Sequence, residues 1–175
     1  MKLTTDVLLK GPIWAEILDQ LVGPVFKTNW DVYALSISIG MMHDQQIESD
    51  MMVPEGYEAE PKFVPRTVLG HSQNKALLEF MLQAAMVTTK HLDLSEDDRL
   101  EVAFGEEEKL TFNPIAFLTK YANYGITKIK EAIEDSTGVE LLMALMTLLN
   151  DTYEAGFTAM EEALTEEEMA LLDDE

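Results

Sequence analysis

Paired start and stop signals cut this chain into helix-length pieces, and that punctuation constrains its fold more than any other feature. Gly11-Pro12 opens a first segment with Ile13, Ile17, Leu18 and Leu21 at helical spacing, and Gly23-Pro24 stops it. Thr28 reads as an N-cap, with Asp31 three residues on able to return the hydrogen bond. The helix that follows is expected to place Val32, Leu35, Ile37, Ile39 and Met42 largely inside. Gly40 marks either a close helix approach or the start of that helix's end. Ser72 or Asn74 caps a further helix to about Lys90, with Ala76, Leu77, Phe80, Met81, Ala84 and Val87 apolar. Ser95-Glu96-Asp97-Asp98 is another capping box and leads into Leu100 and Phe104. Asn113-Pro114 starts the next helix, with Asn as cap and Pro at the first helical position. Gly125 is expected to bend or end it before Ile126, Ile129 and Ile133. Beyond Thr137-Gly138, the run from Val139 to Leu149 is apolar nearly all round, which predicts a helix central to the core. Thr165 would cap a short last helix, Met169 to Leu172.

Residues 44–73 break the pattern. Pro54, Gly56, Pro61, Pro65 and Gly70 fall there, and proline removes a backbone donor while restricting the residue before it. A connection this long points to a functional or partner-ordered segment, in which Lys62-Phe63-Val64 and Thr67-Val68-Leu69 fit short strands. The expected architecture is therefore all-α: one compact helical domain over 1–160, of six or seven helices, with a long irregular insertion near 44–73. An acidic C-terminal tail would follow over 161–175.

Charge is the strongest compositional signal. The chain carries a formal −21, and Lys130 is its last basic residue. Fourteen acidic residues follow Lys130, so −14 lies beyond that point and −7 before it. Such a field repels phosphate and disfavours direct nucleic-acid binding, which cationic side chains drive by releasing counterions. It steers basic proteins toward the surface instead, although net charge of either sign also serves solubility. The N-terminal Met1-Lys2-Leu3-Thr4-Thr5-Asp6 lacks the apolar stretch of a signal peptide, and no apolar run nears the roughly 20 residues of a membrane span. A cytoplasmic location is expected.

Chemistry is harder to find. No cysteine is present, which excludes disulfides, thiolate catalysis and cysteine-ligated metals. The histidines are His43, His71 and His91. His43, Asp44 and Glu48 offer metal-ligand types on neighbouring turns, but without a second His at three- or four-residue spacing. His91 with Asp93 could add a pair only if the fold brings it near. A calcium loop begun at Asp93 fails, with Asp98 where Gly is needed and Phe104 where a bidentate Glu is needed. Phosphate-binding glycine spacings and the Gly-x-Ser-x-Gly elbow are absent. No catalytic residue, metal ligand or cofactor is assigned.

Two segments carry a resemblance. Phe26-x-Thr28, followed by Asp31-Val32 and an apolar helix to Gly40, is the first; Tyr121-Ala122-Asn123-Tyr124-Gly125-Ile126 is the second. With the intervening order of helix, Pro-rich segment and helix, the stretch from Phe26 to about Ile133 resembles Dnd system-associated protein 4. That family of small accessory proteins travels with bacterial DNA-phosphorothioation clusters. Tyr124 stands where a Gly would be expected, and the basic residues expected after Gly40 are replaced by Met41-Met42-His43-Asp44-Gln45-Gln46. The resemblance implies context rather than mechanism, because the family brings no established catalytic residues.

The resulting expectation is a non-enzymatic adaptor of a prokaryotic DNA-modification or antiviral system, binding a basic protein partner. Candidate partner-binding residues are Met41, Met42, Met51 and Met52, since Met adapts to changeable surfaces, with Glu161, Glu162, Glu166, Glu167 and Glu168 on the acidic end. The alternatives are an acidic DNA mimic that inhibits a restriction or other DNA-binding enzyme, and a metal-dependent enzyme built on His43, Asp44 and Glu48. Association with a twin subunit stays open.

Overall fold

The computed structural model describes residues 3–105 and 112–163, with the side chains of the last helix described as far as Gly156. It is a compact, mostly α-helical domain. The order is β1 (Val7–Leu9), α1 (Pro12–Leu21), α2 (Asn29–Met42), β2 (Lys62–Val64), α3 (Arg66–Leu69), α4 (Ser72–Thr88), α5 (Glu96–Phe104), α6 (Pro114–Ile133) and α7 (Gly138–Ala163). The expected short helix at 169–172 lies outside the described residues. So do the acidic-tail residues 164–175, and α7 itself runs across the expected boundary at 160/161.

Local chemistry explains the helix starts. Asp31 Oδ2 accepts from the Thr28 main-chain N–H at 2.8 Å, closing the first turn of α2. Ser95 Oγ accepts from Asp98 N at 3.2 Å and Asn113 Oδ1 from Ala116 N at 3.1 Å, so both predicted caps are made. At α4 the cap differs. His71 holds that position without a side-chain cap, while Asn74 Nδ2 donates to the Val68 carbonyl at 2.8 Å.

The centre of the molecule is the crossing of α2 and α6, the most extensive helix contact in the fold. Along α2, Trp30, Val32, Tyr33, Ala34, Ser36, Ile37, Ile39 and Gly40 are all buried, residues that point in every direction round the helix. Ser36 survives at this depth because its Oγ donates to the Val32 carbonyl at 2.8 Å. A Cβ placed on Gly40 would overlap the Tyr121 main chain of α6, and one placed on Gly125 would overlap the Ser36 main chain of α2. Gly40 is thus a close-approach residue. Gly125 neither bends nor ends its helix: α6 runs unbroken from Pro114 to Ile133, because the residue's service is to let α2 lie against its backbone.

Around this pair, α1 packs on α6, α7 on both α6 and α2, α4 on α2, and α5 on α4. Two expected cores shift. In α4 the buried set is Leu78, Met81, Leu82, Ala85 and Met86, whereas Leu77, Phe80 and Val87 face solvent. Among the described side chains of α7, only Leu141, Leu145 and Thr152 are buried, so this part of the helix predicted to be central lies at the periphery. Both helices carry two apolar stripes, and sequence cannot say which one the fold uses.

The 44–73 segment is anchored by its own contacts. Ile47 N donates to the Lys120 carbonyl of α6 at 3.0 Å. Met52 is buried, and its carbonyl fills the space a side chain at Gly11 would need; Gly11 also has φ +99°, which favours glycine. β2 pairs antiparallel with β1 in the register Val7↔Val64, Leu8↔Phe63 and Leu9↔Lys62. The strand expected at 62–64 is present. That expected at 67–69 is the short helix α3 instead, started by Pro65, and β1 was invisible because three residues are too few to display an alternation.

The crossing is testable. In an exposed helix Gly→Ala stabilises by about 1 kcal/mol. Gly125→Ala should reverse that sign and cost about 3 kcal/mol, because two backbones must move apart. The urea midpoint, compared at unchanged m-value, reads the effect, and a neutral or stabilising result would refute the close approach.

Candidate functional site

The polar groups of the interior gather where the C-terminus of α2, the C-terminus of α4 and the middle of α6 meet. α2 ends without glycine. Asp44 adopts φ +43°, with Asp44 N donating to Met41 O at 2.9 Å and Gln45 N to Gly40 O at 3.0 Å. Those two bonds form a Schellman closure, a role Asp tolerates less well than Gly. The turn aims the Asp44 carboxylate across to α4 and α6. Asp44 Oδ1 lies 2.9 Å from the Tyr121 hydroxyl and 3.1 Å from the Thr89 hydroxyl, and those two hydroxyls are also in hydrogen-bond range of each other. Asp44 Oδ2 accepts from Lys90 N at 3.1 Å, and the His91 ring Nε2 donates to the Asp44 carbonyl. The fold therefore brings His91 to Asp44, a pairing the 47-residue separation concealed.

Burial pushes the Tyr121 hydroxyl up to about 12, with the hydrogen bond it shares with Thr89 opposing the rise and the neighbouring Asp44 adding to it. Tyr33, buried against Thr119, is raised further still by desolvation. His43 stands edge-on to Tyr124, 5.8 Å between ring centroids, and burial together with the Lys128 charge lowers its pKa.

A second polar joint sits on the same helix. Buried Asn123 accepts from Trp14 Nε1 at 2.9 Å through Oδ1 and donates through Nδ2 to Ile47 O at 3.0 Å and Ser49 Oγ at 3.2 Å. Asn123 is thus a mid-helix clamp joining α1 and the 44–61 segment to α6. The bend or end expected at Gly125, two residues on, hid this mid-helix position.

The expected site residues separate. His43 turns to Tyr124, Asp44 to Thr89 and Tyr121, and Glu48 pairs with Lys120 at 2.6 Å, so the three candidate ligands face three different partners. Among the described residues no group of three or more His, Asp or Glu side chains is placed to hold a metal ion. Asp44 is held by two hydroxyls and a main-chain N–H, which makes it a fastening between helices. The methionines diverge as well. Met52 belongs to the core and leaves the expected surface cluster; Met41 packs partly against the core; Met42, expected inside α2, is exposed although it touches Gly156 of α7; Met51 is the most exposed of the four. Glu161, Glu162, Glu166, Glu167 and Glu168 lie outside the residues whose side chains are described.

An open concavity lies elsewhere, between α4 and α5. A groove of about 490 Å³ is lined by Met86, Val87, Leu94, Glu96, Arg99, Leu100, Ala103 and Phe104. The Arg99 guanidinium is turned inward onto four main-chain carbonyls, those of Thr89 and Leu92 at 2.8 Å and of Met86 and Leu94 at 3.3 Å. Glu96, one of the lining residues, is exposed. Val87, Leu100 and Phe104 are exposed in the groove, an apolar surface that the sequence reading did not single out as a site.

The fold and these sites define a mostly α-helical domain with an open groove between α4 and α5, and no helix of the described residues is long and apolar enough to cross a membrane. No family model matches the chain, and neither the curated proteins nor the solved structures contain a significant match.

The tyrosines give a pH prediction. Unfolded tyrosine ionises near 10. The folded chain holds Tyr121 protonated to about 12, so between these values the unfolded state releases the proton and the folded state does not. Stability should fall as pH rises through that window. Tyr121→Phe should fall less steeply than wild type over the same range, as read by urea midpoints, and parallel profiles would show that Tyr121 is not shielded.

Proposed function

We propose that this chain is a non-enzymatic adaptor that binds a basic protein partner. The resemblance to Dnd system-associated protein 4 supplies the setting, a prokaryotic DNA-modification or antiviral defence system acting in the cytoplasm. The observation that carries the reading is the α4/α5 groove. Most of its lining side chains are apolar, Glu96 is its one acidic lining residue, and its one cationic lining residue, Arg99, is already engaged with main-chain carbonyls. An amphipathic helix fits such a groove by its apolar face, and a lysine or arginine flanking that face meets Glu96. The −21 charge of the whole chain favours encounter with a basic surface.

The test is affinity capture from the native host with the tagged full chain, in parallel with a Val87→Ser/Leu100→Ser/Phe104→Ser variant. These side chains are exposed, so the variant should keep its fold. A basic DNA-modification protein is expected on the wild type at low salt, released as salt rises, and bound about tenfold or more weakly by the variant. Equal retention by the variant would remove the groove from the reading. Displacement of the partner by duplex DNA would move it to DNA mimicry.

A further inference from the structure

α7 is apolar on two faces, and its own fold covers one. Leu141, Leu145 and Thr152 are buried against the body of the protein, with Leu148 partly buried beside them. On another side Val139, Leu142, Met146, Leu149 and Tyr153 follow one another at spacings of three, four, three and four residues. This is the a/d repeat of a coiled-coil seam over two heptads. These five side chains are 72%, 47%, 70%, 43% and 65% exposed, and Met143 beside them is 63% exposed. The stripe presents on the order of 600 Å² of apolar surface, the top of the range of about 300–600 Å² for the largest patch on a monomer.

The chemistry of the flanks identifies the occupant. Met143 and Asn150 hold the positions beside the seam, while Glu140, Asp151 and Glu154 fall on other parts of the helix circumference. No charged side chain lies in the seam to select a lysine- or arginine-flanked partner, and none would oppose its own copy there. The stripe is self-complementary. Two copies laid seam to seam bury on the order of 1,200 Å² in total, the lower limit of a standard specific interface of about 1,200–2,000 Å². We infer that this face of α7 is where a second copy of the chain docks, two α7 helices packing about a two-fold axis. This inference is independent of the basic-partner reading, which uses a different surface, and its salt dependence has the opposite sign. Each copy carries −21, so added salt screens their repulsion and tightens the dimer, whereas it weakens capture of a basic protein.

Met146 stands at the middle of the stripe, so it faces its own copy whether the helices run parallel or antiparallel. Sedimentation velocity of the full chain over a concentration and salt series measures the association. A dimer that strengthens with salt is expected, and Met146→Glu should weaken it by about tenfold or more, because like charges are opposed. Far-UV circular dichroism should be unchanged, since the residue is exposed. Mixing Met146→Glu with Met146→Lys should restore a mixed dimer. A chain that stays monomeric up to about 1 mM, the weak limit of specific association, overturns the inference. So does a dimer that Met146→Glu leaves intact, or one that dissociates as salt rises.

Discussion

Everything else in this fold hangs on two backbones brought into contact without side chains between them. Gly40 of α2 lies against the main chain at Tyr121, and Gly125 of α6 lies against the main chain at Ser36. At ordinary helix separations of about 8–10 Å side chains fill the gap. Here their absence lets the larger neighbours, Trp14, Tyr33 and Tyr121 among them, close over the crossing and become fully buried. The aromatic rings stack outward from it, Trp14 and Trp30 each tilted on Tyr33 and Phe117 edge-on to Tyr121, at centroid separations of 5.3–6.3 Å.

The same crossing decides where polarity can be placed. Tyr121 and Asn123 sit two residues apart on α6 and so point to different sides of it. One reaches Asp44 and Thr89; the other reaches Trp14, Ile47 and Ser49. A buried amide with its oxygen and nitrogen both engaged is worth keeping, because removing one partner leaves the other unsatisfied in a low-dielectric interior. The resemblance motif Tyr121-Ala122-Asn123-Tyr124-Gly125 thus has a structural content throughout: ring, small neighbour, amide clamp and crossing glycine.

Much of this was legible in advance, and the boundary of legibility is physical. Helix starts were readable because a cap is a local event, decided within four residues, as at Thr28, Ser95 and Asn113. Burial was not, wherever a helix carried two apolar stripes. In α4 the stripe through Leu77, Phe80 and Val87 is as regular as the buried one through Leu78, Met81 and Ala85, and only a tertiary neighbour distinguishes them. In α7 an all-round apolar pattern meant two faces with separate destinations rather than a central position. The closure of α2 at Asp44 escaped because nothing but the folded turn marks a left-handed Asp, and its pairing with His91 spans too many residues for spacing to report.

One side chain has a further consequence. None of the residues of α5 is buried, and its Arg99 reaches back to the carbonyls left open at the end of α4 and in the residues that link the two helices. α5 is therefore held mainly by a hydrogen-bonded cation rather than by apolar area. Its detachment exposes little surface, so the free energy separating its closed and open states is smaller than that of the whole domain. One wall of the groove thus belongs to a helix held less tightly than the core pair α2 and α6. A ligand in the groove would draw much of its hold from ordering that wall.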